Sequence, residues 1–197
     1  MATVVVPFRG SDPKQRLGIR DADRQLVAAA MLADVVAAAS PLGTVLVVAR
    51  PHAVDIGGVT VVDDPLRGQG AAVAAGLDAA VAAALPAPYL VVNADLPCAD
   101  TRDLLALAGA VPDGGLALAR AADGTTNALA FAAAGLFEPL YGPGSADRFA
   151  ALGPSRVLDA PNLVDDVDTL DDLARLGARL GAHTRRALAS LDVPSAA

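Results

Sequence analysis

The chain has 197 residues, of which 54% are hydrophobic, so it can bury one substantial core and is short for two. Its formal net charge of -7 at pH 7 has the wrong sign for a protein that binds nucleic acid by neutralising phosphates. Its single cysteine, Cys98, excludes an intrachain disulfide and a thiolate metal cluster within one chain. These features predict one domain over residues 1–197, a reducing compartment and no nucleic-acid partner.

Two alanine-rich stretches, 26–39 and 71–85, are apolar enough to suggest a membrane. Asp34 and Asp78 interrupt them, and neither stretch reaches the length that a bilayer requires, so we interpret both as buried helices. The strand-like run 3–6 follows the initial Met almost at once and leaves no room for a signal peptide. We therefore expect a cytoplasmic protein without a membrane partner.

The first half of the chain alternates short β-branched runs with longer helical stretches. The predicted strands are 3–6, 44–49, 59–62 and 89–92, and the predicted helices are 23–39 and 70–85. Both helices carry apolar residues nearly all round, which is typical of helices that cover a buried sheet. The alternation predicts a Rossmann-like, three-layer α/β sandwich around a mostly parallel, doubly wound sheet.

The second half of the chain is less regular. It predicts a helix over 101–110, strands over 116–120 and 128–131, and a short helix after Ser145. The last helical stretch, 170–191, is broken near Gly181 and carries several arginines. We expect a surface helix pair there, packed against the edge of the sheet.

Ligands of an open α/β sheet bind beyond the carboxyl ends of its strands, so the loop over residues 7–17 is a candidate site. It contains Arg9, Gly10, Lys14 and Arg16, and Lys14 is the only lysine in the chain. A compact ammonium group suits a polyphosphate, which such a loop would bind. The alternative is a solvated basic turn.

A second candidate segment, 93–97, follows the predicted strand 89–92. Its aspartate, Asp95, would point into the crevice at the end of the sheet, where a carboxylate suits Mg²⁺. The alternative is an Asx turn or a helix cap before Pro97.

A third candidate segment contains consecutive acidic residues at 165–168. The spacing of Asp166 and Asp168 puts both on one side of an extended chain, where two carboxylates repel each other unless a cation joins them. Asp168 or Thr169 would alternatively cap the following helix. Capping and metal binding can coexist, because the segment holds more carboxylates than one cap requires.

Three glycine-containing segments complete the set of candidates. Residues 124–127 precede a strand, and 142–145 precede a short helix whose first amides would hold an anion, with Ser145 as a plain N-cap in the alternative interpretation. Residues 67–70 open a helix after a strand, where Gln69 would reach the edges of a nucleobase.

Other catalytic classes have little support in the sequence. His52 and His183 lie outside all of these segments, and no serine occupies a G-x-S-x-G elbow. Nucleotidyl transfer fits better, because an ionised phosphate nucleophile requires no general base and catalysis rests on positioning and charge neutralisation.

The order and spacing of the candidate segments resemble the phosphoenolpyruvate and 2-phospho-L-lactate guanylyltransferase family of coenzyme F420 biosynthesis. The matching motifs are Val6-Pro7-Phe8-Arg9-Gly10 with Lys14-Gln15-Arg16-Leu17, Asp95-Leu96-Pro97, Gly124-Thr125-Thr126-Asn127-Ala128-Leu129, Gly142-Pro143-Gly144-Ser145 and Asp166-Val167-Asp168-Thr169. The resemblance covers nearly the whole chain. It implies a nucleotide-diphospho-sugar-transferase-like fold, related to that of the molybdenum-cofactor guanylyltransferases.

The resemblance also implies a Mg²⁺-dependent reaction in which the acceptor's phosphate attacks the α-phosphorus of GTP and pyrophosphate leaves. Residue roles follow from the matching positions, with Lys14 and Asp95 as catalytic residues. Metal would be held by Asp95, Asp166 and Asp168, the acceptor by Thr126, Gly142 and Ser145, the GTP phosphates by Arg9, Lys14 and Arg16, and, as our own extension, guanosine by Gly68, Gln69 and Gly70.

With phosphoenolpyruvate as acceptor, the product would be enolpyruvoyl-diphospho-5'-guanosine. The alternatives are 2-phospho-L-lactate as acceptor, another MobA-like nucleotidyltransferase, and a non-catalytic nucleotide-binding protein on the same fold. The expected partners are GTP, a small phosphorylated three-carbon acid and the next enzyme of the pathway, and a homodimer is compatible with the sequence. The single glycine of the first loop argues against the sugar and molybdopterin branches.

Overall fold

A computed structural model of the protein describes residues 1–10 and 17–191. In this part of the chain, seven strands form one sheet in the order β3-β2-β1-β4-β6-β5-β7. The strands are β1 (Ala2–Phe8), β2 (Gly43–Ala49), β3 (Thr60–Asp63), β4 (Tyr89–Val92), β5 (Leu116–Arg120), β6 (Thr126–Phe131) and β7 (Ser155–Val157). Six of these match predicted strands. β7 was not predicted, because this three-residue edge strand is exposed throughout and shows no apolar alternation.

The helices cover both faces of the sheet. They are α1 (Asp21–Ala39), α2 (Gln69–Ala82), α3 (Thr101–Gly109), α4 (Ser145–Ala150), α5 (Leu170–Leu176) and α6 (Ala182–Ser190), with short 3-10 turns at Ser40–Leu42, Ala134–Leu136, Pro161–Leu163 and Gly177–Arg179. Strand residues alternate between the faces, so that Val4 and Val6 pack with α1 and α3 while Val5 packs with α2. The predicted three-layer arrangement is therefore confirmed.

The sheet is parallel except at one strand. β1 is parallel to β2 and β4, β2 to β3, and β5 to β7, whereas β6 runs antiparallel to both β4 and β5. Because β6 is reversed, its first residues lie at the edge where the parallel strands end. This reversal brings Thr126 and Asn127 next to the segment that continues from β4.

Helix α1 and the turn after it form a segment, Asp21–Leu42, that is long and apolar enough to cross a membrane by length and composition alone. The expectation that this stretch is too short for a bilayer is wrong, because the helix begins at Asp21, before the alanine-rich run. Its burial identifies it as a core helix: 56% of its most apolar window is buried inside the protein. One side of α1 packs on the sheet, and Val27 and Met31 pack on the C-terminal helices.

The C-terminal helices α5 and α6 cover α1, so the expectation that they pack against the sheet edge is wrong. Leu173, Leu176 and Leu180 form an apolar cluster with Val27 and Met31 of α1. Because α1 is apolar nearly all round, its side that faces away from the sheet must also be buried, and α5 and α6 pack against that side.

A buried carboxylate anchors α6 to α1. Asp34 of α1 accepts hydrogen bonds from the backbone amides of His183 and Thr184, both at 2.9 Å, in the first turn of α6. Gly181 allows this close approach, because a Cβ there would lie 2.1 Å from the Asp34 carboxyl carbon. The predicted break near Gly181 is confirmed, and the chain turns once more at Gly177.

The packing of α2 on the sheet generates a test of this fold. A Cβ on Gly76 would lie 2.4 Å from Val5 Cγ1 and 2.8 Å from Val48 Cγ2, so Gly76→Ala should lower the free energy of unfolding by about 1–3 kcal/mol through overpacking. Gly109 in α3 has open space around it, and Gly109→Ala should be neutral or stabilising. Chemical denaturation of the two variants measures this difference. Equal stability of the two would contradict the close contact between α2 and the sheet.

Candidate active site

A cavity of about 290 Å³ opens at the carboxyl edge of the parallel strands. Most of its walls come from strand ends and from the loops between strands and helices, as expected for an open α/β sheet. The lining residues are Pro7, Phe8, Arg9, Gly10, Ala28, Met31, Gln69, Asn93, Ala94, Asp95, Thr125, Thr126, Asn127, Tyr141, Gly142, Ser145 and Asp166.

Three carboxylates form a cluster at this edge of the sheet, and two of them, Asp95 and Asp166, line the cavity. One carboxylate oxygen each of Asp95, Asp166 and Asp168 lies within 4.8 Å of the other two. The residues are partly buried, and Oδ1 of Asp95 is shielded from solvent. The structure thus brings together the three residues that the sequence analysis chose as metal ligands.

A backbone hydrogen bond joins the two segments that carry these carboxylates. The amide of Val167 donates to the carbonyl oxygen of Asp95 at 3.0 Å, while the Val167 side chain is fully buried in the cluster beneath α5. The extended chain therefore sends Val167 inward and its two neighbours, Asp166 and Asp168, to the other side. The predicted orientation of these two aspartates is confirmed.

This carboxylate cluster fits a divalent cation. Three hard oxygen donors at this spacing are the ligands that Mg²⁺ or Mn²⁺ prefers, with the remaining positions left for water and substrate phosphates. Without a cation, three like charges so close together would repel one another.

Asp165 faces away from the cluster. Its carboxylate accepts hydrogen bonds from Arg175 at 3.0 Å and from Arg179 at 3.2 Å. These ion pairs are half exposed and lie on the outer side of the segment, so they stabilise its position only modestly.

The capping alternative for this segment holds for Thr169. Thr169 is the N-cap of α5 and forms a reciprocal capping box with Asp172, whose Oδ2 also accepts the amide of Asp168 at 3.1 Å. Capping and carboxylate clustering therefore coexist, because Thr169 caps the helix and Asp168 belongs to the carboxylate cluster. Asp100, rather than Asp95, caps α3.

A pair of buried hydroxyls lines another part of the cavity. Thr126 Oγ1 and Ser145 Oγ are 3.1 Å apart, and the two residues are almost completely buried. The interpretation of Ser145 as a plain N-cap is wrong, because Gly144 occupies the N-cap of α4 in a left-handed conformation, with φ of 69°. Ser145 therefore has no capping role.

The loop before α4 is held by Arg148. Its guanidinium donates to the carbonyl oxygens of Pro143 at 2.6 Å and Leu140 at 2.9 Å, and also reaches that of Gly142. This arrangement fixes the loop that places Gly142 and Tyr141 in the cavity wall.

The predicted nucleotide-binding residues are only partly brought together. Arg9 is exposed at the cavity and Gln69 lines it, whereas Lys14 and Arg16 lie outside the described residues. Gly68 and Gly70 are not among the cavity-lining residues. Gly70 instead packs against Pro139, where a Cβ would lie 2.5 Å from the proline Cβ.

The amide of Gln69 has an intramolecular partner that was not predicted from the sequence. Gln69 Nε2 donates to Asn93 Oδ1 at 2.8 Å, and Asn93 Nδ2 donates in turn to the carbonyl oxygen of Thr126 at 3.3 Å. Asn93 lies in the candidate segment 93–97, but only Asp95 of that segment had an assigned role.

Two further lining residues, Met31 and Tyr141, received no role from the sequence. Met31 reaches the cavity because α1 passes beneath it, which no local pattern indicates. Tyr141 packs against Phe137 and Phe149, and burial there raises the pKa of its phenol. It is therefore a neutral wall of the cavity and not a base.

Comparisons with known proteins identify the family of the chain. The family model described as MobA-like NTP transferase domain matches residues 14–156. The chain is 37% identical to a phosphoenolpyruvate guanylyltransferase of Geodermatophilus obscurus over 188 residues, covering 90% of this chain and 85% of that protein. It is 28% identical to a 2-phospho-L-lactate guanylyltransferase of Methanospirillum hungatei, covering 95% of this chain and 86% of the relative.

Solved structures show the same fold at lower sequence identity. A putative nucleotide-diphospho-sugar transferase from Desulfovibrio desulfuricans has a TM-score of 0.70 at 14% identity, over 96% of this chain and 95% of that one. A Mycobacterium tuberculosis protein in complex with manganese has a TM-score of 0.54 at 24% identity, over 89% of this chain and 98% of that one. The predicted fold class is confirmed.

The fold and the family match define the class of the protein: it is a nucleotidyltransferase with a MobA-like NTP transferase domain. Within that class, the identity over nearly its whole length shows that the chain belongs to the phosphoenolpyruvate guanylyltransferase family. The resemblance stated from its motifs is confirmed.

The capping box beside the carboxylate cluster predicts a pH-dependent contribution to stability. Although burial opposes it, hydrogen bonds from Thr169 and the amide of Asp168 hold the pKa of Asp172 below its ordinary value. A carboxyl group with a lowered pKa in the folded state stabilises the protein above its ordinary pKa, and loses this effect as the pH falls through the folded value. Asp172→Ala should therefore lower the free energy of unfolding by about 1 kcal/mol at pH 7, and this difference should disappear below about pH 4.

Thermal unfolding from pH 7 down to pH 3 measures this effect. Asp171→Ala, which removes an exposed carboxylate from the same turn of α5, is the matched control. A penalty for Asp172→Ala that stays constant over this range would contradict the assignment.

Proposed function

We propose that this protein transfers the guanylyl group of GTP to phosphoenolpyruvate, giving enolpyruvoyl-diphospho-5'-guanosine and pyrophosphate in coenzyme F420 biosynthesis. The observation that carries the proposal is one cavity lined by Asp95 and Asp166, which form a carboxylate cluster with Asp168, and by the buried hydroxyls of Thr126 and Ser145. The names of relatives at 33–37% identity support the choice of nucleotide and acceptor. We assign the activity to one domain over residues 1–197.

The proposed reaction requires no general base. A bond forms between a phosphate oxygen of the acceptor and the α-phosphorus of GTP, and the bond from that phosphorus to the β-phosphate oxygen breaks. The acceptor phosphate is already ionised at neutral pH, and pyrophosphate leaves with the electron pair. The chain's contribution is therefore positioning and charge neutralisation.

The net charge of -7 opposes the binding of negatively charged phosphates, so this charge must be neutralised locally by cations in the site. Asp95, Asp166 and Asp168 would hold Mg²⁺, and this ion, when bound, supplies positive charge to the α-phosphate and the leaving pyrophosphate. Lys14, Arg9 and Arg16 are the proposed partners of the remaining phosphate oxygens. We also propose Lys14 and Asp95 as the catalytic residues.

The acceptor is assigned to the hydroxyl pair. Thr126 and Ser145 would donate hydrogen bonds to the acid, and Gly142 would let it approach the backbone of the loop that Arg148 holds. Tyr141, which lines the cavity beside Gly142, would exclude water from this end of the site. Gln69 remains the proposed contact to guanosine, and Gly68 and Gly70 would shape the turn that presents it.

A second candidate acceptor is 2-phospho-L-lactate, because a relative that spans nearly the whole chain carries that name. It differs from phosphoenolpyruvate only in lacking the enol double bond, so the same phosphate and carboxylate contacts would serve it. We place the enzyme in the cytoplasm, where both nucleotide and acceptor are made. The next enzyme of the pathway is its proposed partner.

The proposed function predicts acceptor-dependent release of pyrophosphate. With GTP and Mg²⁺, release should require phosphoenolpyruvate, or 2-phospho-L-lactate if that is the true acceptor, and should stop when chelator removes the metal. Parallel reactions with ATP, CTP, a sugar phosphate and a pterin phosphate test the other nucleotidyltransferase branches. Absence of release with every triphosphate and acceptor would favour a non-catalytic nucleotide-binding protein.

The carboxylate cluster should carry most of the turnover. Asp95→Asn, Asp166→Asn and Asp168→Asn should each lower kcat/KM by at least about 10²-fold, which corresponds to about 2.7 kcal/mol of lost transition-state stabilisation. Asp159→Asn, an exposed residue outside the cluster, is the control and should keep wild-type activity. Retention of full activity by any two of the three cluster variants would refute the metal-site assignment.

A further inference from the structure

Asn127 is a buried amide between two parts of the site. It is the second residue of β6 and is 2% exposed. Its Nδ2 atom donates to the backbone carbonyl oxygens of Leu163 and Val164, both at 3.0 Å. These carbonyls lie 36 and 37 residues further along the chain, so the contact joins elements that the backbone does not hold together locally.

The contact matters because the acidic segment begins directly after Val164. Residues 165–168, which include two members of the carboxylate cluster, belong to no helix or strand. Their position therefore depends on separate tethers. Asn127 holds the segment at its beginning, the hydrogen bond from Val167 to Asp95 holds its middle, and Asp172 holds the amide of Asp168 at its end.

A backbone hydrogen bond fixes the position of Asn127 itself. Its carbonyl oxygen accepts the amide of Asn93 at 3.0 Å, which fixes β6 beside the segment that leads to Asp95. Its neighbour Thr126 faces Ser145, whereas the Asn127 side chain points to the opposite face of the sheet. Thr126 thus belongs to the hydroxyl pair, and the next residue of the strand, Asn127, bonds to the turn that leads into the acidic segment.

The two carbonyl acceptors favour a primary amide at position 127. A primary amide nitrogen carries two N–H donors and can satisfy two carbonyl oxygens at once, whereas a carboxylate or an aliphatic side chain of the same shape satisfies neither. A buried carbonyl that loses its donor is left unsatisfied, and this penalty favours a shift of its segment toward another hydrogen-bond donor.

We propose that Asn127 is a positioning residue that sets the carboxylate cluster for its metal ion and fixes its distance from the acceptor hydroxyls. The inference rests on the proposed function only in taking Asp95, Asp166 and Asp168 as metal ligands. When a residue that positions metal ligands without binding the metal itself is replaced, metal affinity typically falls by about 10–100-fold.

Direct binding of Mn²⁺, followed by electron paramagnetic resonance of the free ion, tests the proposal without relying on activity. Asn127→Ala and Asn127→Leu should weaken binding by about 10-fold or more, and the leucine variant keeps the side-chain volume while donating no hydrogen bond. Asn162→Ala is the matched control. Asn162 lies in the same turn, but its Nδ2 donates to Asp103 at 3.0 Å and its Oδ1 accepts from Arg179 at 3.3 Å. Neither partner belongs to the carboxylate cluster, so loss of the Asn162 side chain should leave Mn²⁺ affinity unchanged.

Kinetics separate positioning from general damage to the fold. In the Asn127 variants, the metal concentration for half-maximal rate should rise and excess Mn²⁺ should recover much of kcat. KM for phosphoenolpyruvate should change little, because the Thr126 and Ser145 pair is retained. Folded variants with lower melting temperatures but wild-type Mn²⁺ affinity would overturn the proposal and leave Asn127 with a structural role only.

A measurement on the wild-type protein covers the case in which both variants fail to fold. The side-chain amide protons of Asn127 should exchange slowly with solvent, and still more slowly when Mg²⁺ is added. Fast exchange that Mg²⁺ does not alter would overturn the proposal. Wild-type protein that binds Mn²⁺ but releases no pyrophosphate would instead refute the proposed function, and the Mn²⁺ titration of the variants would still decide the role of Asn127.

Discussion

Three carboxylates within 4.8 Å of one another repel, and the arrangement of the rest of the site depends on holding them there. Backbone and side-chain hydrogen bonds from three directions oppose this repulsion. Val167 ties the later segment to Asp95, Asn127 holds it from the sheet and Asp172 holds it from α5. Because these hydrogen bonds hold the carboxylates together, the site is preorganised to bind a cation.

The topology of the sheet makes these tethers available. Because β6 is reversed, its first residues stand beside the end of β4, and one strand can serve both the hydroxyl pair and the carboxylate segment. The C-terminal helices then cover α1 and bury Val167, and the flanking residues Asp166 and Asp168 remain together in the carboxylate cluster. Fold and site are therefore coupled: the same helices that complete the core also orient the acidic segment.

Much of this was predictable from the sequence, because several features depend on local patterns. Alternation of apolar runs predicted six strands and the parallel sheet, and the i, i+2 spacing predicted that Asp166 and Asp168 share a side. Contacts between distant segments were not predictable in this way. Neither the tether from Asn127 to Val164 nor the packing of α6 on Asp34 leaves a periodic signal, since each depends on where the chain returns after more than 30 residues. The edge strand β7 was missed because all its residues are exposed.

The most direct test of the account is anomalous diffraction from crystals grown with Mn²⁺, a non-hydrolysable GTP analogue and phosphoenolpyruvate. The account predicts an anomalous peak coordinated by Asp95, Asp166 and Asp168, with the α-phosphate on the same ion and the acceptor against Thr126 and Ser145. A peak elsewhere in the molecule, or bound nucleotide whose α-phosphate lies away from these three carboxylates, would contradict it.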